Sequence, residues 1–246
     1  SDLEPLELPS DRPRSPTPSY RGKRVSFQIE PALMEPFEEL CRGEGATLQM
    51  GLLAVVALLL YRYSHQEDFV IGVPIWGRNH PDLEKLIGFF INTLPIRIRF
   101  SPEQSFRELL VQVRDRSIGA YDHQDLPFEQ MVEALKLERD RSRNPVVQVM
   151  MQLMELPESS VRNFDGLEVE PLPTGTQSTT LDLGFTLTRN LQHGLTGVIT
   201  YVSDLFEAES IERLSRLLMA LLNSLVGGMA TQADLPLGRL NILPRE

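Results

Sequence analysis

The sequence is poor in the residues that carry most recognisable chemistry. Its 246 residues include one cysteine, Cys41, one tryptophan, Trp76, and four histidines. A lone cysteine excludes an intrachain disulfide, a cysteine-based zinc site and a Cys-x-x-Cys redox pair, and it fits a reducing, cytoplasmic setting. Positive charge is also scarce: 24 Lys+Arg against 34 Asp+Glu leave a net charge of −10. Nucleic-acid readers carry a basic patch or stripe, so a nucleic acid is not an expected partner. The longest apolar run, residues 48–60, is broken by Gln49. It falls short of the roughly 20 residues that span a bilayer, so it reads as a buried helix and no membrane is expected. No Gly-x-x-x-x-Gly-Lys, Gly-x-Gly-x-x-Gly, Gly-x-Ser-x-Gly or His-Glu-x-x-His motif occurs, which removes the common phosphate-cradling, hydrolase and zinc-protease signatures. His65, His80, His123 and His193 stand apart at no metal-ligand spacing, and nothing demands a metal.

What remains is an ordinary globular composition, 41% hydrophobic and 24% charged, in a chain long enough for one self-sufficient core. Residues 1–22 carry five prolines and begin Ser1-Asp2-Leu3-Glu4-Pro5, a composition that favours extended backbone and offers little to pack. Alternation of Val25, Phe27 and Ile29 predicts a strand over 23–29. Helices follow over 31–44, with Pro31 in the first turn, and over 48–64 behind a Thr47 cap. A nearly continuous apolar run predicts a buried strand over 68–75, and Leu94, Ile96, Ile98 and Phe100 alternate in another over 92–100. Ser101 is expected to cap a helix over 103–119, and Pro127 to open one reaching residue 138. Strands are expected at 146–153, 167–172, 180–188 and 194–201, then a leucine-striped helix over 207–226 ending at Gly227-Gly228. Helices and strands alternate early and strands cluster late: an α/β class with a mixed sheet and helices packed on it.

Three segments stand out. Trp76-Gly77-Arg78 follows a buried strand, where open α/β sheets place ligand loops. The plainer reading pairs Arg78 with a carboxylate and lays Trp76 over the core edge. His123-Gln124-Asp125 interrupts two helices: a general base there is conceivable because histidine titrates near neutrality, while a capping Asp125 beside a hydrogen-bonded His123 serves structure alone. The arginines of 139–143 alternate with Asp140 and Ser142, the pattern of a solvated or loop-locking network.

Taken in order, five motifs resemble the C-terminal half of a nonribosomal peptide synthetase condensation domain. They are Leu8-Pro9-Ser10-Asp11-Arg12-Pro13-Arg14 with Ser19-Tyr20-Arg21-Gly22; Phe69 to Arg78; Ile87-Gly88-Phe89-Phe90-Ile91-Asn92-Thr93-Leu94-Pro95-Ile96-Arg97; His123-Gln124-Asp125-Leu126-Pro127-Phe128-Glu129; and Arg139-Asp140-Arg141-Ser142-Arg143-Asn144-Pro145-Val146-Val147-Gln148-Val149-Met150. The resemblance implies a chloramphenicol-acetyltransferase-like lobe over 23–246, with 1–22 as an interlobe linker. It implies a tunnel between two lobes, entered by donor and acceptor peptidyl carrier proteins on phosphopantetheine arms, with no cofactor bound directly and an adenylation domain nearby. Trp76, Gly77 and Arg78 would form the floor loop of that tunnel. Asn92 and Thr93 would face the other lobe, and His123, Gln124 and Phe128 would border the acceptor side. Arg139, Asn144 and Pro145 would be structural, and a latch to the other lobe is expected within 163–183.

The family's His-His-x-x-x-Asp-Gly motif belongs to the N-terminal lobe, and no His-His dipeptide occurs here. The chain is therefore expected to be half a domain, excised or naturally split, inactive alone and prone to self-association through a bared lobe face. A docking module without chemistry, and half of an epimerisation or heterocyclisation domain, are the alternatives.

Overall fold

A computed structural model describes residues 4–137, 140–155, 177–190, 194–227 and 232–240. Strand β1 (Arg21–Ile29) leads into helices α1 (Pro31–Gly43) and α2 (Leu48–Ser64). Then come β2 (Asp68–Ile75), β3 (Asn92–Arg99), α3 (Phe106–Tyr121) and α4 (Phe128–Leu135). The chain continues through β4 (Val149–Glu155), β5 (Gln177–Ser178), β6 (Leu183–Asn190), β7 (Gly194–Val202) and α5 (Ala208–Gly227). The strands form one sheet in the order β3-β2-β4-β6-β7-β1-β5. β2, β4 and β6 run parallel at its centre, and the outer pairings are antiparallel, the mixed sheet that the sequence pattern predicts.

Period-two patterning decides which face each strand buries. Phe69, Ile71 and Val73 of β2, Ile96 and Ile98 of β3, and Val149 and Met151 of β4 point into one large core with α1, α2, α3 and α5. α2 is buried on every side from Met50 to Leu60, as its lack of a polar face requires. It starts at Thr47, whose hydroxyl accepts the Met50 N–H at 3.3 Å, and stops at His65, held at φ 60°. On the sheet's other face α4 lays Phe128, Met131, Val132 and Leu135 against Val70, Val146 and Val147. Gly72 lets that layer close: a Cβ there would stand 2.7 Å from Val147.

Two local expectations are corrected. α3 begins at Phe106, and its cap is Ser105, with a reciprocal box to Glu108; Ser101 instead closes a turn with Gln104. A capping box satisfies two amide donors where a lone serine satisfies one, which favours the later start. The proline-rich opening is also packed. Leu6 and Leu8 are buried, the Leu6 N–H donates to Gln148 Oε1 at 3.0 Å, and the Asp11 carboxylate accepts from the Glu207 N–H and Ser210 hydroxyl at the start of α5. The expected strand at 167–172 and the greater part of the expected latch region lie outside the described residues.

Candidate functional site

The parallel strands β2 and β4 end side by side, and a cleft of about 410 Å³ opens at their carboxyl ends. Pro74, Ile75 and the Trp76-Gly77-Arg78-Asn79 loop form one wall, Gln152 to Met154 of β4 another. Gln49 at the start of α2, Tyr121 at the end of α3, Gln124 and Ile91 complete it.

The loop that carries Trp76 is held from within. Gly77 has φ +58°, and a Cβ on it would fall 2.0 Å from the Phe90 carbonyl oxygen, so only glycine allows this approach. The Arg78 guanidinium lies over the Phe90 ring, 4.3 Å from its centre, and donates to the Leu83 carbonyl. Arg78 thus organises the loop through an aromatic face and a backbone oxygen, in place of the carboxylate partner expected from sequence. Trp76 does not cover the core edge: 71% of it is exposed.

The His123-Gln124-Asp125 turn is tied to the same loop. Asn79 Nδ2 donates to Asp125 Oδ1 at 2.7 Å, so Asp125 bridges two loops and caps no helix. Asn92 fixes the turn from below: its Nδ2 donates to the carbonyls of Gln124 and Leu126, each at 2.9 Å. Its Oδ1 accepts the N–H groups of Thr93 at 2.9 Å and Phe128 at 3.0 Å.

Among the sequence candidates, Trp76, Gly77, Arg78 and Gln124 meet in one cleft. His123 is exposed beside it, Phe128 packs into the second core, and Asn92 and Thr93 support the cleft without lining it. Asn144 and Pro145 line a separate cavity of about 260 Å³ with Arg14, Arg141 and Arg143, ahead of β4 at its other end. There Arg143 pairs with Glu7 and Asp140, a loop-locking arrangement. Arg139 lies outside the described residues. Tyr121, Gln152 and Met154 carry no signal in the sequence because each sits in an otherwise ordinary helix or strand, and Gln49 shows only as a break in an apolar run; the placement of α2, α3 and β4 brings them together. Burial pushes the Tyr121 phenol above its ordinary value, opposed by a bond with Gln49, so it stays neutral at neutral pH. No described group of three or more His, Cys, Asp or Glu residues is placed to hold a metal ion.

The family model "Condensation domain" matches residues 1–246. The chain belongs to the condensation-domain family. It is 38% identical over 230 residues to tyrocidine synthase 3 of Brevibacillus parabrevis, covering 94% of this chain and 4% of that protein. It is 34% identical over 245 residues to gramicidin S synthase 2 of Brevibacillus brevis, covering 100% and 5%. The chain thus spans a small fraction of these curated relatives. Among solved structures, the X-domain in complex with OxyB from teicoplanin biosynthesis superimposes with a TM-score of 0.90 at 30% identity, covering 100% of this chain and 54% of that one. A four-domain nonribosomal peptide synthetase, holo-AB3403, gives 0.88 at 26%, covering 98% and 19%. The condensation domain's mixed sheet and packed helices are of the chloramphenicol-acetyltransferase-like fold, and no single described helix is long and apolar enough to cross a membrane.

Proposed function

We propose that this condensation-domain chain is the C-terminal, acceptor-side lobe of a unit that forms a peptide bond between two carrier-tethered thioesters in the cytoplasm. The observation that carries this reading is a walled cleft with a bared apolar rim. Trp76, Leu86, Ile87, Phe89 and Ile91 are all exposed on the one stretch of chain that borders the cleft between β2 and β3. Isolated apolar side chains on a surface are unremarkable, whereas five on one loop beside a cleft mark an interaction face. An N-terminal lobe is the occupant that fits, because the chain covers 54% of the X-domain structure on which it superimposes.

In the assembled tunnel, phosphopantetheine arms of donor and acceptor carrier proteins would present the two reactants. The acceptor amine attacks the donor thioester carbonyl; the C–N bond forms, the C–S bond breaks, and the donor's thiol leaves with a proton. Tethering both partners removes much of the entropy cost of bringing them together, and a closed tunnel limits hydrolysis of the thioester. None of the described histidines, His65, His80 and His123, lines the cleft, and in this reading the histidine acting on the amine belongs to the other lobe.

Sedimentation of this chain with an N-terminal lobe carrying the His-His-x-x-x-Asp-Gly motif tests the reading. The expected result is a one-to-one complex that Ile87→Ser with Phe89→Ser weakens about tenfold or more; no complex, or one indifferent to both changes, contradicts it. Without the second lobe the same rim should drive self-association that the double variant relieves.

A further inference from the structure

The chemistry of the cleft walls bears on which acceptor amino acid the lobe accommodates. The apolar surface comes from Trp76, Pro74, Ile91, Leu153 and Met154, and the hydrogen-bonding groups include three glutamines and the Tyr121 phenol. Among the described residues, no carboxylate lines the cleft and Arg78 is the one formal charge in its walls. Arg78 is held from two sides, by the Phe90 ring at 4.3 Å and by the Leu83 carbonyl. Gln152 is anchored as well, its Nε2 donating to Thr186 Oγ1 at 3.1 Å, which leaves its amide oxygen as an uncharged acceptor.

A cationic side chain entering this space would lose water, find no counter-ion in these walls and meet the Arg78 charge, and an unpaired buried charge is strongly disfavoured. An apolar or aromatic side chain would pack on the cleft-lining surfaces of Trp76 and Ile91 and would leave every wall hydrogen bond in place. We propose that the cleft accommodates an uncharged, apolar or aromatic acceptor side chain and discriminates against cationic ones, with Trp76 as its apolar platform and Gln152 as the position that sets the penalty on positive charge. This inference rests on the proposed role of the chain as an acceptor-side lobe.

The test pairs this chain with an N-terminal lobe and offers phenylalanyl and lysyl acceptors on the same carrier protein. The expected result is product from phenylalanine at least about ten times faster than from lysine. Gln152→Glu should raise lysine relative to phenylalanine by about tenfold, because a carboxylate then faces the incoming ammonium while Thr186 can still donate to it. Lysine accepted as readily as phenylalanine, or no change of preference in Gln152→Glu, overturns the proposal and leaves the acceptor-lobe reading intact. No product with any acceptor overturns the condensation reading instead. The side-chain preference is then decided on the chain alone, because Trp76 is its one tryptophan. Phenylalanyl-pantetheine amide should give a saturable blue shift of Trp76 emission at about a tenth of the concentration the lysyl amide requires. Equal midpoints, or no shift, overturn the proposal.

Discussion

The carboxamide oxygen of Asn92 accepts the backbone N–H of Phe128 at 3.0 Å, joining the first residue of β3 to the first residue of α4. The same side chain holds the carbonyls of Gln124 and Leu126, so one residue on the sheet sets the position of the turn that presents Gln124 to the cleft.

Asn92→Ala is therefore expected to lower stability by about 2–3 kcal/mol, since four hydrogen bonds are lost and backbone groups at the turn are left without partners. Asn92→Asp keeps the acceptor but turns a carboxylate toward two carbonyl oxygens, and is expected to destabilise as well. Urea unfolding checks both, and an unchanged midpoint would assign the turn's position to other contacts.

Gly77→Ala is expected to displace the Trp76 loop, because the left-handed backbone and the Phe90 carbonyl 2.0 Å from the new Cβ act together. Arg78→Leu removes the guanidinium but leaves the backbone room intact, so its effect should be smaller. Trp76 emission reports the loop directly, and the larger spectral change should come from Gly77→Ala.

Arg14 donates to Asp182 at 2.9 Å, with the two side chains 20% and 6% exposed. The bond to Asp182 is the largest influence raising the Arg14 pKa. Asp182→Ala strands a largely buried guanidinium and should cost about 2–3 kcal/mol, less than for a fully buried pair because water reaches part of Arg14. Removing both partners, in Arg14→Met with Asp182→Leu, should recover part of that loss. Thermal unfolding of the single and double variants measures the difference.

Stability should fall at both ends of the pH scale. Arg97 beside Asp68, and the Glu207 N–H on Asp11, hold both carboxyls below their ordinary value of 3.8. A depressed carboxyl pKa stabilises the fold above the unfolded value, and that contribution disappears as pH falls through the folded one. Asp68→Asn with Asp11→Asn should therefore flatten the acid limb below about pH 4. Burial of Cys41 works in the opposite sense, pushing its thiol from 9.0 up to about 12. Above about pH 9 the unfolded chain ionises there while the folded chain does not, so stability falls as pH rises. Cys41→Ala should reduce that alkaline slope in urea titrations, the remainder coming from Tyr121 and Tyr201, whose phenols burial also raises.

Much of the fold is legible from periodicity alone. The all-apolar α2, the doubly covered β2 and the alternating β3 and β7 each bury the face that their patterns require. The start of α3 is ambiguous in the sequence because Ser101 and Ser105 both offer a capping hydroxyl, and only the reciprocal bond with Glu108 distinguishes them. The packing of Leu6 and Leu8 is hidden by the prolines around them, since composition registers chain stiffness and not the backbone hydrogen bonds that this segment donates to Gln148 Oε1 and the Leu205 carbonyl.

The site is legible in part. Trp76, Gly77, Arg78 and Gln124 belong to short segments of unusual composition, and the structure brings them into one cleft. Gln49, Tyr121 and Gln152 give no comparable signal, because their place in the cleft depends on where α2, α3 and β4 lie relative to one another. The role of Arg78 is hidden for a different reason: its partners are an aromatic ring and a backbone carbonyl, neither of which has a characteristic sequence spacing.

Dipeptidyl-thioester formation, measured with loaded donor and acceptor carrier proteins, decides whether this chain is one lobe of a peptide-bond-forming unit. The chain alone should give no product above the background aminolysis rate, and addition of an N-terminal lobe bearing the His-His-x-x-x-Asp-Gly motif should restore condensation. Product from the chain by itself, or no product from the assembled pair of lobes, would contradict this reading.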